Sequence, residues 1–386
     1  MPPDGLSFSL TDEQQAFRTT IRQLVEDKIA PRAAEIDEKD EYPWDIDELL
    51  VRGGFAGVSY PEQHGGAGGG AVELCLLVEE LSRWSAAVSL IPAVNKLGAM
   101  PVLLAGTNEQ RDELCGGITE GRHRMSYCLT EAGSGSDAAA MQTRATRGDG
   151  GWVLSGTKRF ITNAGSSDLY TVFAVTDPDA PKASRITAFL VAGESDGFSL
   201  GRKEDKMGIR DSPTREVVLE DCFVGDDAVI GDVGQGLELA LRTLDSSRPT
   251  IAAQALGIAQ GAFDAAVAYC SDRRQFGQPL KSFQGLQFLF ADMAMKIETA
   301  RLAVYRAACA IDEADARVTY WAAIAKCYAS DVAMSVTTDC VQAMGGYGYI
   351  KEYPVERLMR DAKITQIYEG TNQIQRVVIA RNIFGK

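Results

Sequence analysis

The strand-like segments of this 386-residue chain all lie in its middle third, and their position constrains the fold more than any other feature. Before about residue 121, apolar residues recur at helical spacing, with breaks expected at Pro31, Pro43, Pro61 and Pro92. Between about 124 and 229, short β-branched and aromatic runs are separated by Gly, Asp, Pro and Ser, which is typical of antiparallel strands. From about 234 onward the chain is helical again. Because strands and helices do not alternate, we predict an α+β protein and not a doubly wound parallel sheet.

These changes of pattern divide the chain into three predicted domains. Residues 1–122 form an N-terminal α-helical domain, residues 123–229 a middle β-domain, and residues 230–386 a C-terminal α-helical domain. Four long helical stretches are expected in the last domain, and the fourth runs through Arg381. A chain of this length can bury a sizeable core in such an arrangement.

The charge balance and the N-terminal stretch restrict the partners of the protein. A formal net charge of −14 argues against a nucleic-acid partner, because phosphate binding needs a basic surface. No apolar run approaches the length of a membrane span, so we expect no transmembrane helix and no membrane partner. The first 30 residues have the build of neither a secretory signal nor a transit peptide, and we therefore expect a cytoplasmic protein.

The cysteines and histidines argue against a metal centre. The eight cysteines form no C-x-x-C pair and match no zinc spacing, so we expect buried free thiols. His64 and His123 are the only histidines, which also weakens any mechanism that depends on a histidine base. We therefore predict no metal site.

Three patterns match known motifs but stand in the wrong context. Residues 66–71, GAGGGA, follow a proline-led loop, and residues 133–138 soon lead back to strand. Neither pattern therefore predicts a dinucleotide-binding Rossmann unit. Residues 197–201, GFSLG, match the G-x-S-x-G nucleophile elbow, but a charged loop follows and both histidines precede Ser199. A serine hydrolase is not expected.

One carboxylate near the C-terminus, Glu369 in YEGT, stands just before a predicted helix. A Gly-Thr-Asn turn separates it from an apolar-periodic segment. Acidic residues are common near helix N-termini, where they complement the helix dipole. The alternative is that Glu369 is a catalytic base held at a junction of loop and helix. This segment alone leaves both interpretations open.

Six motifs occur in order along the chain: YCLTEAGSGSD at 127–137, RFITNAG at 159–165, LDSSRP at 244–249, DRRQFGQPL at 272–280, VQAMGGYGY at 341–349 and QIYEGTNQIQR at 366–376. Together they resemble the acyl-CoA dehydrogenase family of flavoproteins, nearest its short-chain, butyryl-CoA dehydrogenase-like bacterial branch. The resemblance runs from about Ser9 to the end of the chain. It implies an N-terminal helical domain, a central antiparallel β-domain, a C-terminal four-helix bundle and a homotetramer.

The resemblance implies removal of one hydrogen each from Cα and Cβ of an acyl thioester, which gives a trans-2-enoyl thioester. Glu369 is then the base that takes the α-proton, and its backbone N–H helps to hold the thioester carbonyl, while the β-hydrogen leaves as hydride to FAD. A carboxylate can act in this way only in a dry cleft that raises its pKa, with donors placed where enolate charge develops. In other branches the base precedes the arginine of LDxxR, but here that residue is Ser247, which cannot serve.

The resemblance also implies a set of FAD-binding residues. Along the isoalloxazine ring they are Tyr127, Leu129, Thr130, Gly135, Ser136, Phe160, Ile161 and Thr162. At the adenine dinucleotide of a neighbouring subunit they are Arg273, Phe276, Gln284, Gln342, Ala343, Met344, Gly345 and Gly346. Thr371, Asn372 and Gln373 close the pocket beside the base. Many relatives carry tryptophan where this chain has Phe160, so ring stacking there is expected to differ.

The expected substrate contacts fall into two sets. The CoA portion is assigned to Asp245, Ser246, Ser247 and Arg248, and the acyl thioester to Ser136, Tyr368 and Gly370. Leu90 and Val94, on a helix spanning residues 86–97, are expected to fill the floor of the acyl pocket. Since a filled floor turns added methylenes into overlap, we predict a preference for chains of about four to six carbons. Trp84 either narrows the same pocket or packs in the helical core.

Three functions remain open at this point. The first is an acyl-CoA dehydrogenase that passes electrons to an electron-transfer flavoprotein. The second is the same desaturation carried out on an acyl group bound to an acyl carrier protein. The third is a catalytically silent, flavin-containing acyl-binding protein, against which the presence of Glu369 argues.

Overall fold

The structure, a computed structural model, describes residues 9–385; the first eight residues of the predicted N-terminal domain and Lys386 lie outside the described residues. The N-terminal helices are α1 (Asp12–Leu24), α2 (Ala33–Lys39), α3 (Trp44–Arg52), α4 (Ala71–Ser82), α5 (Ala86–Ala105) and α6 (Asn108–Thr119). A π-helical turn, Val25–Ile29, extends α1. Helix α1 begins at a capping box. The Thr11 hydroxyl oxygen accepts from the Gln14 backbone N–H, and the Gln14 side-chain oxygen accepts from the Thr11 backbone N–H.

The middle domain contains the strands that the β-branched and aromatic runs predict. They are β1 (Met125–Cys128), β2 (Arg144–Gly148), β3 (Gly151–Thr162), β4 (Leu169–Val175), β5 (Ile186–Ala192), β6 (Phe198–Lys203), β7 (Thr214–Gly225) and β8 (Val229–Ile230). Ser199 lies within β6, a strand and not a strand-to-helix elbow. The predicted order of helical, β and helical domains is confirmed.

Two pairings in the middle sheet correct the prediction of a purely antiparallel domain. The sheet order is β6-β7-β3-β2-β4-β5-β8, and β1 pairs with β4 off this path. Most neighbours are antiparallel, but β1 runs parallel to β4, and β2 meets β4 in parallel at Arg144 and Val175. A tight hairpin enforces antiparallel pairing, whereas longer connections also permit parallel pairing. β1 and β4 are distant in sequence, so no turn fixes their relative direction.

The C-terminal helices are α7 (Gly236–Asp272), α8 (Gln284–Asp312), α9 (Val318–Met344), α10 (Val355–Thr365) and α11 (Asn372–Phe384), with a short hairpin of β9 (Arg274–Gln275) and β10 (Gln278–Pro279) after α7. The helix predicted to begin after the Gly-Thr-Asn turn is α11, and the turn at Glu369 divides it from α10, which the sequence patterns did not single out. The division follows from the backbone, since Glu369 and Gly370 have φ values of +57° and +87°, outside the right-handed helical region.

Helix α5 runs through Pro92, so the predicted break at this residue was wrong. A proline inside a helix removes one backbone hydrogen bond and costs about 3 kcal/mol or more. Leu90 and Val94 are buried in one core cluster and Ile91 in another. Burial of side chains of this size stabilises by about 1.5–3 kcal/mol each, which outweighs the cost of the proline.

One core cluster joins the two helical domains and supports the candidate site. It contains buried residues of α4 and α5 from the first domain and of α7, α8, α9 and α10 from the last. The loop between α10 and α11 packs beside this shared core, with Tyr368 partly buried against it. The position of the loop is therefore set by contacts that come from both ends of the chain.

Two helices, α5 and α7, are long and apolar enough to cross a membrane by length and composition. This corrects the expectation that no apolar run reaches span length. Their apolar windows are 72% and 61% buried inside the molecule, and packing in the shared core accounts for their composition.

The prediction of free thiols is confirmed for the eight cysteines, all of which lie in the described residues. Seven are buried, as expected, whereas Cys309 is only partly buried. Burial raises the pKa of the Cys128 thiol to about 12, which keeps it protonated and chemically inert near neutral pH.

Candidate active site

Glu369 lies on the short loop that connects α10 to α11. Thr371 ends this loop as the N-cap of α11, and its Oγ1 accepts a hydrogen bond from the Ile374 backbone at 3.3 Å. Glu369 and Gly370 both have left-handed backbone conformations, which glycine adopts freely but glutamate does not. The carboxylate is therefore held in a position that a regular helix would not give it.

Helix α7 supplies a direct partner for the carboxylate. The Ser247 hydroxyl donates to Glu369 Oε2 at 2.5 Å, and Ser247 itself is buried. The Glu369 carbonyl accepts from Gln375 Nε2 at 3.0 Å and, more weakly, from Arg248 Nε at 3.5 Å. Within residues 9–385 the Glu369 backbone N–H makes no hydrogen bond, so this donor is free for a ligand.

The surroundings of Glu369 raise the pKa of its carboxyl group, and a higher pKa makes a carboxylate better able to take a proton from carbon. Desolvation raises the pKa of the Glu369 carboxyl above its ordinary value. The Ser247 hydrogen bond and the charges of Arg248 and Lys326 act in the opposite direction. The result is a carboxylate that is more basic than one in water and is still ionisable.

Lys326 on α9 contacts the loop of residues 366–371 between α10 and α11, which we call the base loop after the predicted base Glu369. This lysine was not singled out from the sequence. It is fully buried, and its Nζ donates to the Gly370 carbonyl at 2.7 Å and to Asn372 Oδ1 at 3.1 Å. The signal was present in the sequence as a lone lysine within YWAAIAKCYAS, a helical stretch that is otherwise largely apolar. A buried lysine requires partners, and here they are a carbonyl of the base loop and the first residue of α11.

Asn372 corrects one of the expected cofactor contacts. Its Oδ1 accepts from Lys326 Nζ, and its Nδ2 donates to the Cys327 carbonyl, Ser330 Oγ and Asp331 Oδ1 at 2.8–3.2 Å. Because these internal partners use the amide and the residue is 3% exposed, its side chain does not face a cofactor. Gln373 is exposed, and its role stays a prediction.

The segment predicted to meet CoA forms its own internal network. Arg248 is buried and pairs with Asp245 at 2.5 Å, and Asp245 also accepts from Thr319 Oγ1 at 2.6 Å. Ser246 donates to the Arg242 carbonyl. The structure thus gives Arg248 an internal partner beside the base loop, and contacts of this segment with CoA stay a prediction.

Hydrogen bonds through Gln254 of α7 tie α5 to the base loop at Tyr368. The Tyr368 hydroxyl donates to Gln254 Oε1, and Gln254 Nε2 donates to the Ala86 carbonyl at 2.8 Å and to Ser89 Oγ at 3.1 Å. Leu90 and Val94 are buried in the core cluster that α5 shares with α7. Gln254 was another residue that the sequence motifs did not reveal.

Trp84 takes the second of its two expected positions. It packs partly buried against the N-terminal cluster that contains Ile91, not the cluster of Leu90 and Val94. Its carbonyl accepts from Arg357 Nη2 at 3.2 Å. Trp84 therefore belongs to the packing of the helical core.

The residues predicted for the isoalloxazine ring lie on β1, on β3 and on the loop after β1. Tyr127 is close enough to Glu369 for the negative charge of that carboxylate to contribute to the raised pKa of the Tyr127 phenol. Phe160 has φ +58° and is 57% exposed, so its ring projects from the sheet. The remaining predicted residues are distributed as follows: Leu129 and Ile161 are buried, Thr130 and Thr162 are half-buried, and Gly135 and Ser136 are exposed.

A buried ion pair that was not anticipated supports this loop. Lys158 Nζ donates to Glu131 Oε1 at 2.8 Å and to the Leu129 carbonyl at 3.3 Å. The same carboxylate accepts from the Thr143 backbone at 3.0 Å and from the Thr143 hydroxyl at 2.6 Å. Because each charge is paired and hydrogen-bonded, the loop carrying Ser136 is tied firmly to β3.

A second group of predicted residues lines a cavity of about 550 Å³ at the end of α9. Gln342, Ala343, Met344, Gly345 and Gly346 form one side, and Arg273 lies opposite with its guanidinium 5.3 Å from the Tyr347 ring centre. A Cβ atom at Gly345 or Gly346 would meet nothing within 4 Å, so the backbone is open to a ligand. Phe276, at the tip of the β9–β10 hairpin, is 94% exposed, and Gln284 begins α8.

The two groups are separate within one chain. Across residues 9–385, no hydrogen bond or ion pair links the residues around Glu369 to the Arg273 cavity. Over the same residues, no cluster of three or more His, Cys, Asp or Glu side chains could hold a metal ion.

Comparison with known proteins matches three successive parts of the chain to one family. Residues 11–122, 126–222 and 234–384 match the N-terminal, middle and C-terminal domains of acyl-CoA dehydrogenase, respectively. A probable acyl-CoA dehydrogenase of Mycobacterium tuberculosis is 51% identical over 97% of this chain and 96% of its own length.

Solved structures agree with this assignment. The butyryl-CoA dehydrogenase of Megasphaera elsdenii is 45% identical, with a TM-score of 0.95 over 98% of this chain and 100% of its own. A chain from a structure of the electron transferring flavoprotein of Acidaminococcus fermentans is 44% identical, with a TM-score of 0.96 over 99% of this chain and 100% of its own. The chain therefore belongs to the acyl-CoA dehydrogenase family of oxidoreductases.

Proposed function

We propose that the protein is an FAD-dependent dehydrogenase that converts a short-chain acyl-CoA thioester to its trans-2-enoyl thioester. The observation that carries the proposal is the half-buried Glu369 carboxylate, whose pKa is raised by desolvation and whose backbone N–H is unused. A basic carboxylate and a free donor in one residue are what removal of a proton next to a carbonyl requires.

In the proposed reaction, the backbone N–H of Glu369 hydrogen-bonds to the thioester carbonyl and stabilises the negative charge that develops on its oxygen. A Glu369 carboxylate oxygen takes the α-proton, and the electrons of that C–H bond form the new double bond. FAD, when bound, supplies the acceptor for the β-hydrogen, which leaves as hydride. Ser247 orients the carboxylate, and the dry surroundings keep its basicity high.

The residues present fit FAD in two places. Phe160 projects from β3 near the open loop at Gly135, where a Cβ atom would meet no neighbour within 4 Å. The cavity beside Gly345 and Gly346 offers open backbone and the Arg273 guanidinium, a combination suited to a pyrophosphate. We propose that one chain binds the ring end of a flavin and the dinucleotide end of its neighbour's flavin, in a homotetramer.

The proposed preference for short acyl chains rests on the packing of the two residues predicted to fill the floor of the acyl pocket. Leu90 and Val94 are branched and buried, and the Tyr368–Gln254 hydrogen bond adds buried polar groups beside the same helix. A longer chain would overlap the side chains and leave buried polar atoms unpaired. The related butyryl-CoA dehydrogenase is consistent with this preference.

We further propose a cytoplasmic protein that passes electrons to an electron-transfer flavoprotein. The resemblance to a chain from a structure of that kind of protein supports this acceptor. Desaturation on an acyl carrier protein would use the same base, and the choice of thioester in the experiment separates the two.

The test is anaerobic flavin bleaching with butyryl-CoA and with butyryl-acyl carrier protein. Glu369→Gln should retain FAD and ligand binding but lose nearly all bleaching, because the amide is isosteric and not basic. Glu352→Gln, at an exposed glutamate, is the matched control and should behave like the parent protein. Bleaching of Glu369→Gln at a rate near that of the parent would place the base elsewhere. Absence of bleaching in the parent with either thioester would support the catalytically silent alternative.

A further inference from the structure

Lys326 is the fully buried cation nearest to the turn that carries the proposed base. Its ammonium group bridges the Gly370 carbonyl at 2.7 Å and Asn372 Oδ1 at 3.1 Å, so it grips the loop on the C-terminal side of Glu369. Gln375 Nε2 also donates to the Gly370 carbonyl, at 3.0 Å. The turn is thus held from α9 and from α11.

The other charged groups near Lys326 are paired among themselves. Asp331, on α9, accepts from Arg376 of α11 at 2.7 Å, and Asp245, on α7, pairs with Arg248 of the same helix. The Cys327 thiol donates to the Asn372 carbonyl at 3.7 Å. The carboxylate that remains to balance the Lys326 charge is Glu369.

Charge coupling between the two residues agrees with this geometry. Burial lowers the pKa of Lys326 to about 8, and the negative charge of Glu369 acts against that lowering. In turn, the positive charge of Lys326 acts against the raised pKa of Glu369. Near neutral pH the lysine therefore carries its charge and favours the ionised form of the base.

We propose that Lys326 is a positioning residue for the reaction: it holds the left-handed turn at Glu369 and Gly370 in place and sets a positive charge behind the base. This inference rests on the proposed function, in which Glu369 takes the α-proton. The turn needs such a support because glutamate does not favour φ +57° and returns to a more common conformation when its neighbours are released.

Two substitutions distinguish the effect of the Lys326 hydrogen bonds to the turn from the effect of its positive charge. Lys326→Met removes the charge and the donors while keeping a long side chain, whereas Lys326→Gln removes the charge and keeps an amide donor. Lys39→Met, at a lysine that is 59% exposed, is the control for the loss of a lysine. Each holoenzyme is compared with Glu369→Gln by FAD content, thermal stability and the pH dependence of single-turnover flavin bleaching with butyryl-CoA.

Both Lys326 variants should move the acidic limb of the bleaching rate to higher pH by about one unit, because the base loses a stabilising charge. Lys326→Met should also lower the plateau rate by about tenfold, and Lys326→Gln by less, because it retains a donor to the turn. A purely structural lysine would lower the thermal stability and leave the acidic limb in place.

The inference is overturned if both Lys326 variants keep the parent's acidic limb while Glu369→Gln is inactive. If Glu369→Gln itself bleaches normally, the proposed base is wrong and the failure belongs to the proposed function. Should Lys326→Met fail to fold, Lys326→Gln alone decides, because the shift of the acidic limb depends on the charge.

Discussion

The hydroxyl of Ser247 donates a 2.5 Å hydrogen bond to the carboxylate of Glu369, which joins the middle of α7 to the loop between α10 and α11. In other branches of the family, the position of Ser247 supplies the base itself. Here the same position supplies a hydrogen bond to Glu369, the proposed base, on another segment. Side chains at positions 247 and 369 therefore reach the same place in the structure, and in this chain the carboxylate is at position 369.

Ser247→Ala should make Glu369 more basic. The lost hydrogen bond stabilises the ionised form of the carboxylate, so its pKa rises further and the acidic limb of the bleaching rate moves up by about one unit. Below this limb the variant is slower than the parent, and well above it the two rates converge. Stopped-flow bleaching from pH 5 to 9 measures the shift, with exposed Ser199→Ala as control. An acidic limb that does not move would show that the hydroxyl does not tune the base.

Leu90→Gly and Val94→Gly should extend the accepted acyl chain. Each opens space at the floor of the pocket, and each added methylene that is then buried can gain about 0.8 kcal/mol. The parent is expected to prefer about four to six carbons, with the rate falling steeply beyond about eight. Specificity constants measured from butyryl to dodecanoyl thioesters test both statements.

Ile91→Ala is the matched control for this prediction. Ile91 lies on the same helix but is buried in the N-terminal cluster, so the variant should lose stability without a change in chain-length preference. An optimum at ten or twelve carbons in the parent would rule out a blocked floor.

Arg273→Ala should weaken FAD retention while leaving the fold intact. The guanidinium stands beside the open backbone of Gly345 and Gly346, and loss of a charge-assisted hydrogen bond to a phosphate costs about 1.5–3 kcal/mol. That corresponds to a dissociation constant raised by about tenfold or more. Equilibrium dialysis of FAD and the 450 nm absorbance measure the effect. Arg52→Ala, at an arginine that is 77% exposed, is the control. A monomeric parent with full FAD occupancy would contradict binding across subunits.

Asp211→Asn should stabilise the protein at neutral and alkaline pH. Asp211 is 3% exposed, its Oδ2 has no hydrogen-bond partner, and desolvation and the neighbouring Asp361 raise its pKa from 3.8 to about 8. A carboxyl whose folded-state pKa is raised contributes stability below pH 3.8, and this contribution is lost as the pH rises to about 8.

The asparagine does not titrate, so its advantage over the parent should be absent near pH 4 and reach several kcal/mol near pH 8. Thermal unfolding across this range, with exposed Asp149→Asn as control, measures the difference. An equal difference at both ends of the range would assign the effect to packing and not to titration.

Local patterns were sufficient for the order of domains and for the turn at Glu369. The strands of the middle domain have β-branched and aromatic runs, which favour strands over short distances in the sequence. Gly370 indicates a turn and Thr371 a helix N-cap, so the start of α11 is also predictable locally. The parallel pairing of β1 with β4 depends on residues more than 40 positions apart, and no local pattern encodes it.

The polar partners of the site were harder to predict, for the same physical reason. Lys326 and Gln254 each lie within a largely apolar helix, and each has one partner on the distant loop after α10. A single polar residue in such a helix shows that a partner is needed, but it does not show which one. Asn372 shows the converse, because a residue next to the base can direct its side chain into the core.

Helix α9 has a consequence for the genetics of the protein. Lys326 and Gln342 are 16 residues apart on this helix, which places the base loop and the dinucleotide cavity about 24 Å apart along its axis. Under the proposed assignment, these two ends serve different active sites. A subunit defective at Glu369 and a subunit defective at Arg273 should therefore complement each other when they assemble together. Two alleles that are each inactive alone would then restore part of the activity as a pair.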